Sequence, residues 1–435
     1  VPRAVHLFTL LFALLLAASG CGRKAADSSY PSADELAQCQ PGECVEAELS
    51  FRRWADADHH RGSMPYHCDV GSELDGPPDP AVTRMIFVVH GVIGITPEEL
   101  ARLNVPPGLF QLRNVQQALR KAKTLDPTID EASIAIVAPS FQRTAAWQPY
   151  TDEDQRNWTW RGTVWNTGTR AVANETFTGI VKAEQVSSFD VFDEFMRAAL
   201  IKFPNLEHLI IVGHSAGGQA VHRYALLGVG VHERLESEGI HIRYMPANPG
   251  LYAFPLQLRK LPPGRTSVSP GVGRGDTNNW QWAAPRGCKG YDDWGYGLGA
   301  LSRADGDRAV RAANYAIEQY LRPVDRKLAR QAMREVGSST WQEAARHALR
   351  LQYASREVWH IQASNDHESA FGTNCRATVQ GRSRWERFSN FQEAWTRLVG
   401  IPAPNLHFVA LDDASHPHSS RVVYTSDAGV HLLFH

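Results

Sequence analysis

The sequence predicts an α/β fold: a mostly parallel central sheet flanked by helices, with an inserted cap or lid region. Three observations carry this expectation. Short, continuous, β-branched-rich runs recur from residue 84 onward. Stretches with helical apolar spacing separate them. One run leads through a glycine-rich turn bearing a serine into a helix-forming segment. A strand exposed on one face alternates apolar and polar residues. Runs without alternation are buried on both faces, as in a parallel sheet covered by helices.

Taken in order, the chain opens with Arg3, an apolar stretch over 7–18, and the small residues Ala17, Ala18, Ser19 and Gly20 before Cys21. A positive start, a short apolar run and a small-residue ending read as a signal peptide over 1–20. The ending has the form of a bacterial lipobox with Cys21 as lipid acceptor, although Ala18 stands where leucine is preferred. Simple cleavage without lipidation is the alternative. The expected location is outside the cytoplasm: lipid-anchored in the bacterial cell envelope, otherwise periplasmic or secreted. Residues 21–83 read as a tether and an N-terminal appended segment, polar and turn-rich (Pro41-Gly42, Gly76-Pro77-Pro78). Within it His59, His60, His67 and Cys68 are candidate metal ligands, but a polar surface stretch accounts for them equally, and no metal is expected.

Residues 84–435 read as the main domain. Strands are expected over 85–90, 133–138, 208–213, 241–247, 358–363 and 407–411. The helix before the third strand shows Phe189, Phe192, Phe195, Met196, Ala199 and Leu200 on one face. Ser187 and Asp190 form a capping box at its start, and Pro204 ends it. Residues 251–356 interrupt the pattern, first rich in Pro, Gly and Trp, then helical (308–320, 328–336, 341–353). They read as the cap or lid.

With 435 residues, 45 Lys plus Arg against 46 Asp plus Glu, and no basic stripe, the chain lacks a nucleic-acid footprint. No apolar run reaches the roughly 20 residues of a membrane-spanning helix, so membrane contact is expected through the lipid anchor only. Beyond Cys21 lie Cys39, Cys44, Cys68, Cys288 and Cys375. An odd number leaves one thiol over.

The chemistry centres on Gly213-His214-Ser215-Ala216-Gly217, set between the 208–213 strand and a helix. A G-x-S-x-G is a weak pattern alone; the strand–turn–helix context strengthens it. Ser215 must occupy a tight, strained turn that lifts its hydroxyl above the sheet, and bulk two residues away on either side would strike the neighbouring strand and helix. The helix start directs unpaired N–H groups at developing negative charge. A phosphate-binding turn would instead show G-x-G-x-x-G or G-K-[ST], and neither is present.

With these residues the chain resembles the α/β-hydrolase superfamily over about 84–435. Within it the chain is similar to a group of secreted bacterial and fungal hydrolases, through V-V-H-G at 88–91, S-S-F-D at 187–190, G-H-S-A-G-G at 213–218, A-N-P at 247–249 and W-G-Y-G-L at 294–298. The resemblance implies the chain order nucleophile, acid, histidine. The histidine falls after the last strand, where His416 and His418 compete. The group's spacing of seven residues to a Thr-Ser pair, here Thr425-Ser426, favours His418. The acid falls after the 358–363 strand: Asp366, with Glu368 as runner-up. Asn248 occupies the turn where another carboxylate could have stood, and Asp412 and Asp413 read as turn formers. Ala216 and Val92, with Ile93 next, are the implied oxyanion-hole N–H donors. A Cys288–Cys375 disulfide is also implied, leaving Cys39–Cys44 as a local bridge and Cys68 spare.

Trp147, Tyr150, Trp158, Trp160 and Trp165 crowd 19 residues. They read either as a substrate-binding wall or as packing beneath a long loop, and both readings stand. The expected function is an exported serine hydrolase, a carboxylic-ester hydrolase of small-molecule esters working through an acyl-enzyme without a cofactor. Amide or thioester hydrolysis and acyl transfer use the same residues. A different class is an inactive envelope lipoprotein of this fold that binds a glycan or peptide. An independent binding module at 36–80 is the weakest reading, because the segment is short. Oligomeric state is not legible.

Overall fold

The computed structural model describes residues 44–50, 63–91, 106–144, 158–161, 164–169, 171, 186–228, 230–264, 279–299, 341–369, 374–412 and 414–435. The signal peptide, Cys21, Cys39, His59, His60, Val92, Ile93, Trp147, Tyr150, Asp413 and the segments 308–320 and 328–336 lie outside the described residues.

Eight strands form one sheet: β1 Val45–Ser50, β2 Ser63–Cys68, β3 Arg84–Val89, β4 Ile134–Pro139, β5 His208–His214, β6 His241–Ala247, β7 Glu357–Ala363 and β8 Leu406–Leu411. Their spatial order is β1-β2-β4-β3-β5-β6-β7-β8. The pairs β1–β2 and β2–β4 are antiparallel, and every other neighbouring pair is parallel. Among the described residues the helices of six residues or more are α1 Pro107–Leu125, α2 Ser188–Lys202, α3 Ala216–Leu227, α4 Gly230–Ser237, α5 Trp341–Ser355, α6 Arg384–Glu393, α7 Ser420–Thr425 and α8 Asp427–Phe434.

The unalternating runs explain the layering. Along β3, Met85, Phe87 and Val89 enter one core with Phe189, Phe192 and Phe195 of α2, while Ile86 and Val88 enter the other with Leu109, Leu112 and Val115 of α1. Successive side chains point to opposite faces, so a strand covered on both sides needs apolar residues throughout. The Phe87 and Phe192 rings meet edge-on at 5.2 Å. At the start of α2 the Ser187 and Asp190 side chains complete the expected capping box.

Two expectations need correction. The stretch before residue 84 is not an appendage: β1 and β2 extend the main sheet, and Met64, Tyr66 and Cys68 are fully buried in its core. This also removes the independent-module reading. Pro65 inside β2 (S-M-P-Y-H-C) masks the strand in sequence, because proline lacks the ladder N–H. Nor is the whole of 251–356 a lid. Helix α5 buries Leu349, Tyr353 and Ala354 in the core, and Tyr353 Oη lies 2.8 Å from His222 Nδ1 and 2.7 Å from His360 Nε2. It is the crossover helix leading into β7. The described part of the insertion carries an antiparallel ribbon of Arg259–Leu261 and Gln281–Ala283 and is tied by the Cys288–Cys375 disulfide.

Candidate active site

Strand β5 ends at His214, and Ser215 turns the chain into α3 with φ 56 and ψ −114. Among the described residues only Ser215 and Asn248 are non-glycine with positive φ. Such a conformation costs about 1–3 kcal/mol and persists where the surroundings enforce it. Here the Ser215 N–H donates to Ala247 O at 2.9 Å, and two glycines let the turn close. A Cβ at Gly217 would lie 2.1 Å from Val89 O, and one at Gly213 would lie 2.5 Å from the Gly217 carbonyl. These contacts are the physical content of the G-x-S-x-G spacing.

Ser215 Oγ is 3.1 Å from His418 Nε2, and His418 Nδ1 is 3.1 Å from Asp366 Oδ2. An ionised carboxylate only accepts, so Nδ1 carries the proton and Nε2 accepts from the serine hydroxyl. His418 immediately precedes the N-cap of α7, where Ser419 Oγ accepts from Val422 N. That helix start is anchored from beneath, as Asn114 Nδ2 and Gln111 Nε2 of α1 donate to Ser420 Oγ. His416 is exposed in the same loop, its carbonyl accepting from Ser419 N, and does not stand between Ser215 and Asp366.

Asp366 is fully buried. Oδ1 accepts from Arg384 Nη1 at 3.1 Å and from Glu368 N at 3.4 Å. Burial alone pushes the carboxyl upward, but the bond from His418 and the Arg384 charge outweigh it and hold it below the ordinary carboxylate range. Glu368, the runner-up acid, is largely solvent-exposed and instead meets Arg384 Nη1 at 3.0 Å. Sequence reasoning missed Arg384. It lies 18 residues beyond Asp366, at the start of a helix capped by Ser383, and no local pattern marks it as a partner. His214 packs its ring 4.8 Å from that of His418. Burial first, then the charges of His418 and Arg384, push it well below the usual imidazole range, so it is neutral.

Ala216 opens α3, where first-turn N–H groups lack intrahelical acceptors. The partner loop comes close: a Cβ at Gly91 would lie 3.1 Å from Ser215 Cβ. His90 supports that loop, with its Nε2 accepting from Phe141 N at 2.9 Å. The substrate-wall reading of Trp158 and Trp160 is overturned. They are 2% and 0% exposed within the main core, the Trp160 ring 5.2 Å from Phe141 and its Nε1 donating to Thr169 O. Trp158, Trp160 and Trp165 found apolar neighbours instead of solvent. Of the candidate metal group, His59 and His60 lie outside the described residues and His67 and Cys68 are buried in β2; no cluster of His, Cys, Asp or Glu suited to a metal occurs among the described residues.

The strand order and the strained serine turn between β5 and α3 give the chain the architecture of the α/β-hydrolase superfamily. No protein-family model matches the chain, and no curated protein does. Among solved structures it is similar to the LpqC poly(3-hydroxybutyrate) depolymerase of Bordetella parapertussis, at 15% identity and TM-score 0.44 over 93% of this chain and 99% of that one. It is also similar to poly(aspartic acid) hydrolase-1 of Sphingomonas sp. KT-1, at 16% identity and TM-score 0.42 over 90% and 100% of the two chains. At this degree of likeness nothing about activity carries across, and the fold assignment stands on the topology itself.

Proposed function

We propose that this protein is an exported serine hydrolase of carboxylic esters. The observation that carries the reading is the hydrogen-bonded series Ser215–His418–Asp366, with Ser215 strained at the end of a buried strand and the start of a helix. Ser215 Oγ attacks the ester carbonyl while its proton passes to His418 Nε2. Asp366 holds the tautomer and balances the imidazolium. The Ala216 N–H stabilises the oxyanion together with a second donor assigned to Val92, next to Gly91; such a donor is worth about 100- to 1000-fold in turnover. The imidazolium returns the proton to the departing alcohol, leaving an acyl-enzyme. His418 then activates water, and the acid is released. Esters are the proposed class because an alcohol leaves more readily than an amine. The catalytic module is assigned to residues 44–435, since β1 and β2 complete its sheet. Residues 1–20 are assigned as a signal peptide with Cys21 as the lipid attachment point. The Cys288–Cys375 disulfide supports an oxidising compartment outside the cytoplasm.

The test is a fluorophosphonate probe on purified mature protein, with the adduct located by mass spectrometry and Ser215→Ala as control. Labelling confined to Ser215 is expected, together with turnover of short-chain aryl esters. Folded protein that neither labels nor turns over such esters would remove the reading.

A further inference from the structure

Asn248 follows the last residue of β6 with φ 42 and is fully buried. Glycine fills a left-handed position without strain, so a turn alone does not call for this amide. Its polar atoms account for the choice. Oδ1 accepts from Ala363 N at 3.0 Å, the last residue of β7, three before Asp366. Nδ2 donates to Pro417 O at 2.8 Å, the residue directly before His418. The backbone N–H donates to Ile361 O at 2.8 Å, and the preceding carbonyl, Ala247 O, receives the Ser215 N–H at 2.9 Å. With an N–H facing its oxygen and a carbonyl facing its nitrogen, the amide has one consistent orientation. One residue therefore bonds to the acid strand and the base loop, and its neighbour bonds to the nucleophile turn.

We propose that Asn248 is a positioning residue that sets the registry of the Ser215, Asp366 and His418 segments, an inference that rests on the serine-hydrolase reading. A second tie, Asn365 Nδ2 to Ala414 O at 2.9 Å, also joins the acid loop to the base loop, but it reaches the chain four residues before His418. Asn248 instead bonds to the carbonyl directly before His418. Removing its amide frees His418 to drift while Ser215 keeps its turn, and displacements near 1 Å in such a site cost about 100-fold.

The experiment compares wild type, Asn248→Gly and Asn248→Asp for kcat and KM on an aryl ester, for fluorophosphonate labelling rate and for thermal midpoint. Glycine keeps the positive φ and loses both amide bonds. Aspartate keeps the acceptor for Ala363 and loses the donor for Pro417, so it serves if the glycine variant does not fold. The expected result is a fall in kcat and in labelling rate of about 10- to 100-fold in either folded variant, with KM within about twofold of wild type. Folded variants with unchanged kcat would overturn the role, leaving Asn248 as a turn former. A fall shared between kcat and KM with a lowered midpoint would overturn it as well, in favour of general loosening. Folded wild type that neither labels nor hydrolyses would overturn the catalytic reading itself, and with it this proposal.

Discussion

Replacing Arg384 by methionine tests the electrostatics that hold the carboxylate of the site. Arg384 Nη1 stands 3.1 Å from Asp366 Oδ1, with side-chain exposures of 9% and 0%. Charge centres about 4 Å apart at an effective dielectric of about 20 attract by about 4 kcal/mol. Removing one partner of a buried pair typically costs about 3–5 kcal/mol, because the other charge stays buried and uncompensated. The second contact of Arg384, to Glu368 at 3.0 Å, adds little, since that carboxylate is 75% exposed. Methionine retains most of the apolar stem, so about 3 kcal/mol of lost stability is expected from urea unfolding at neutral pH. The pH dependence gives a second reading. Asp366 sits below the ordinary carboxylate range in the folded protein. Its contribution is therefore present above the unfolded carboxyl value of about 3.9 and is lost as pH falls through the lower folded value. Without Arg384 one lowering influence is gone and the folded value lies closer to the unfolded one, so the acid-dependent loss is smaller and is complete at higher pH than in wild type. In a cycle with Asp366→Asn, the double variant should be clearly more stable than the sum of the two singles implies. A single variant within about 0.5 kcal/mol of wild type, with additive double-variant behaviour, would refute the argument.

Other perturbations have equally definite outcomes. Gly217→Ala brings a methyl to 2.1 Å from Val89 O, a backbone atom that cannot yield cheaply; loss of soluble protein or of fluorophosphonate labelling is expected, and a fully labelling, stable variant would contradict the close approach. Reducing the Cys288–Cys375 bridge opens a loop of 87 residues, which corresponds to about 4–5 kcal/mol in the chain-entropy model and should show as a lowered midpoint for a Cys288→Ser/Cys375→Ser variant. Burial pushes His67 down to about 4 and His360 down to about 3. Their folded values lie below the unfolded value of about 6.5, so stability holds above that pH and falls as acid titrates the unfolded chain, down through about 4 and 3; His360→Gln, if folded, should flatten that slope.

Much of the framework was legible in the residues. The six expected strands appear within a residue or two, because strands covered on both faces must be apolar throughout and that pattern is local. The start of α2 was equally local: Ser187 and Asp190 satisfy each other three residues apart. The serine turn was readable because Gly213 and Gly217 are where bulk meets a backbone atom. What stayed hidden depends on contacts remote in sequence. Strand β2 is a strand only because β1 and β4 pair with it on either side, despite Pro65. The tryptophans 158 and 160 are core rather than pocket because they pack with Phe141 and the phenylalanines of α2, which their aromatic character alone cannot decide.

The site divides in the same way. By itself the sequence determined the candidate nucleophile turn, since a strained strand-to-helix turn leaves its mark within five residues. Loops after β7 and β8 held several acids and three histidines, and the family resemblance could only rank them. Tertiary structure decided the rest, placing His418 Nε2 within 3.1 Å of Ser215 and bringing Arg384 and Asn248 onto the acid and base loops. Hydrogen bonds between segments 18 to 203 residues apart follow from how the sheet stacks its strand ends, and no local pattern encodes that.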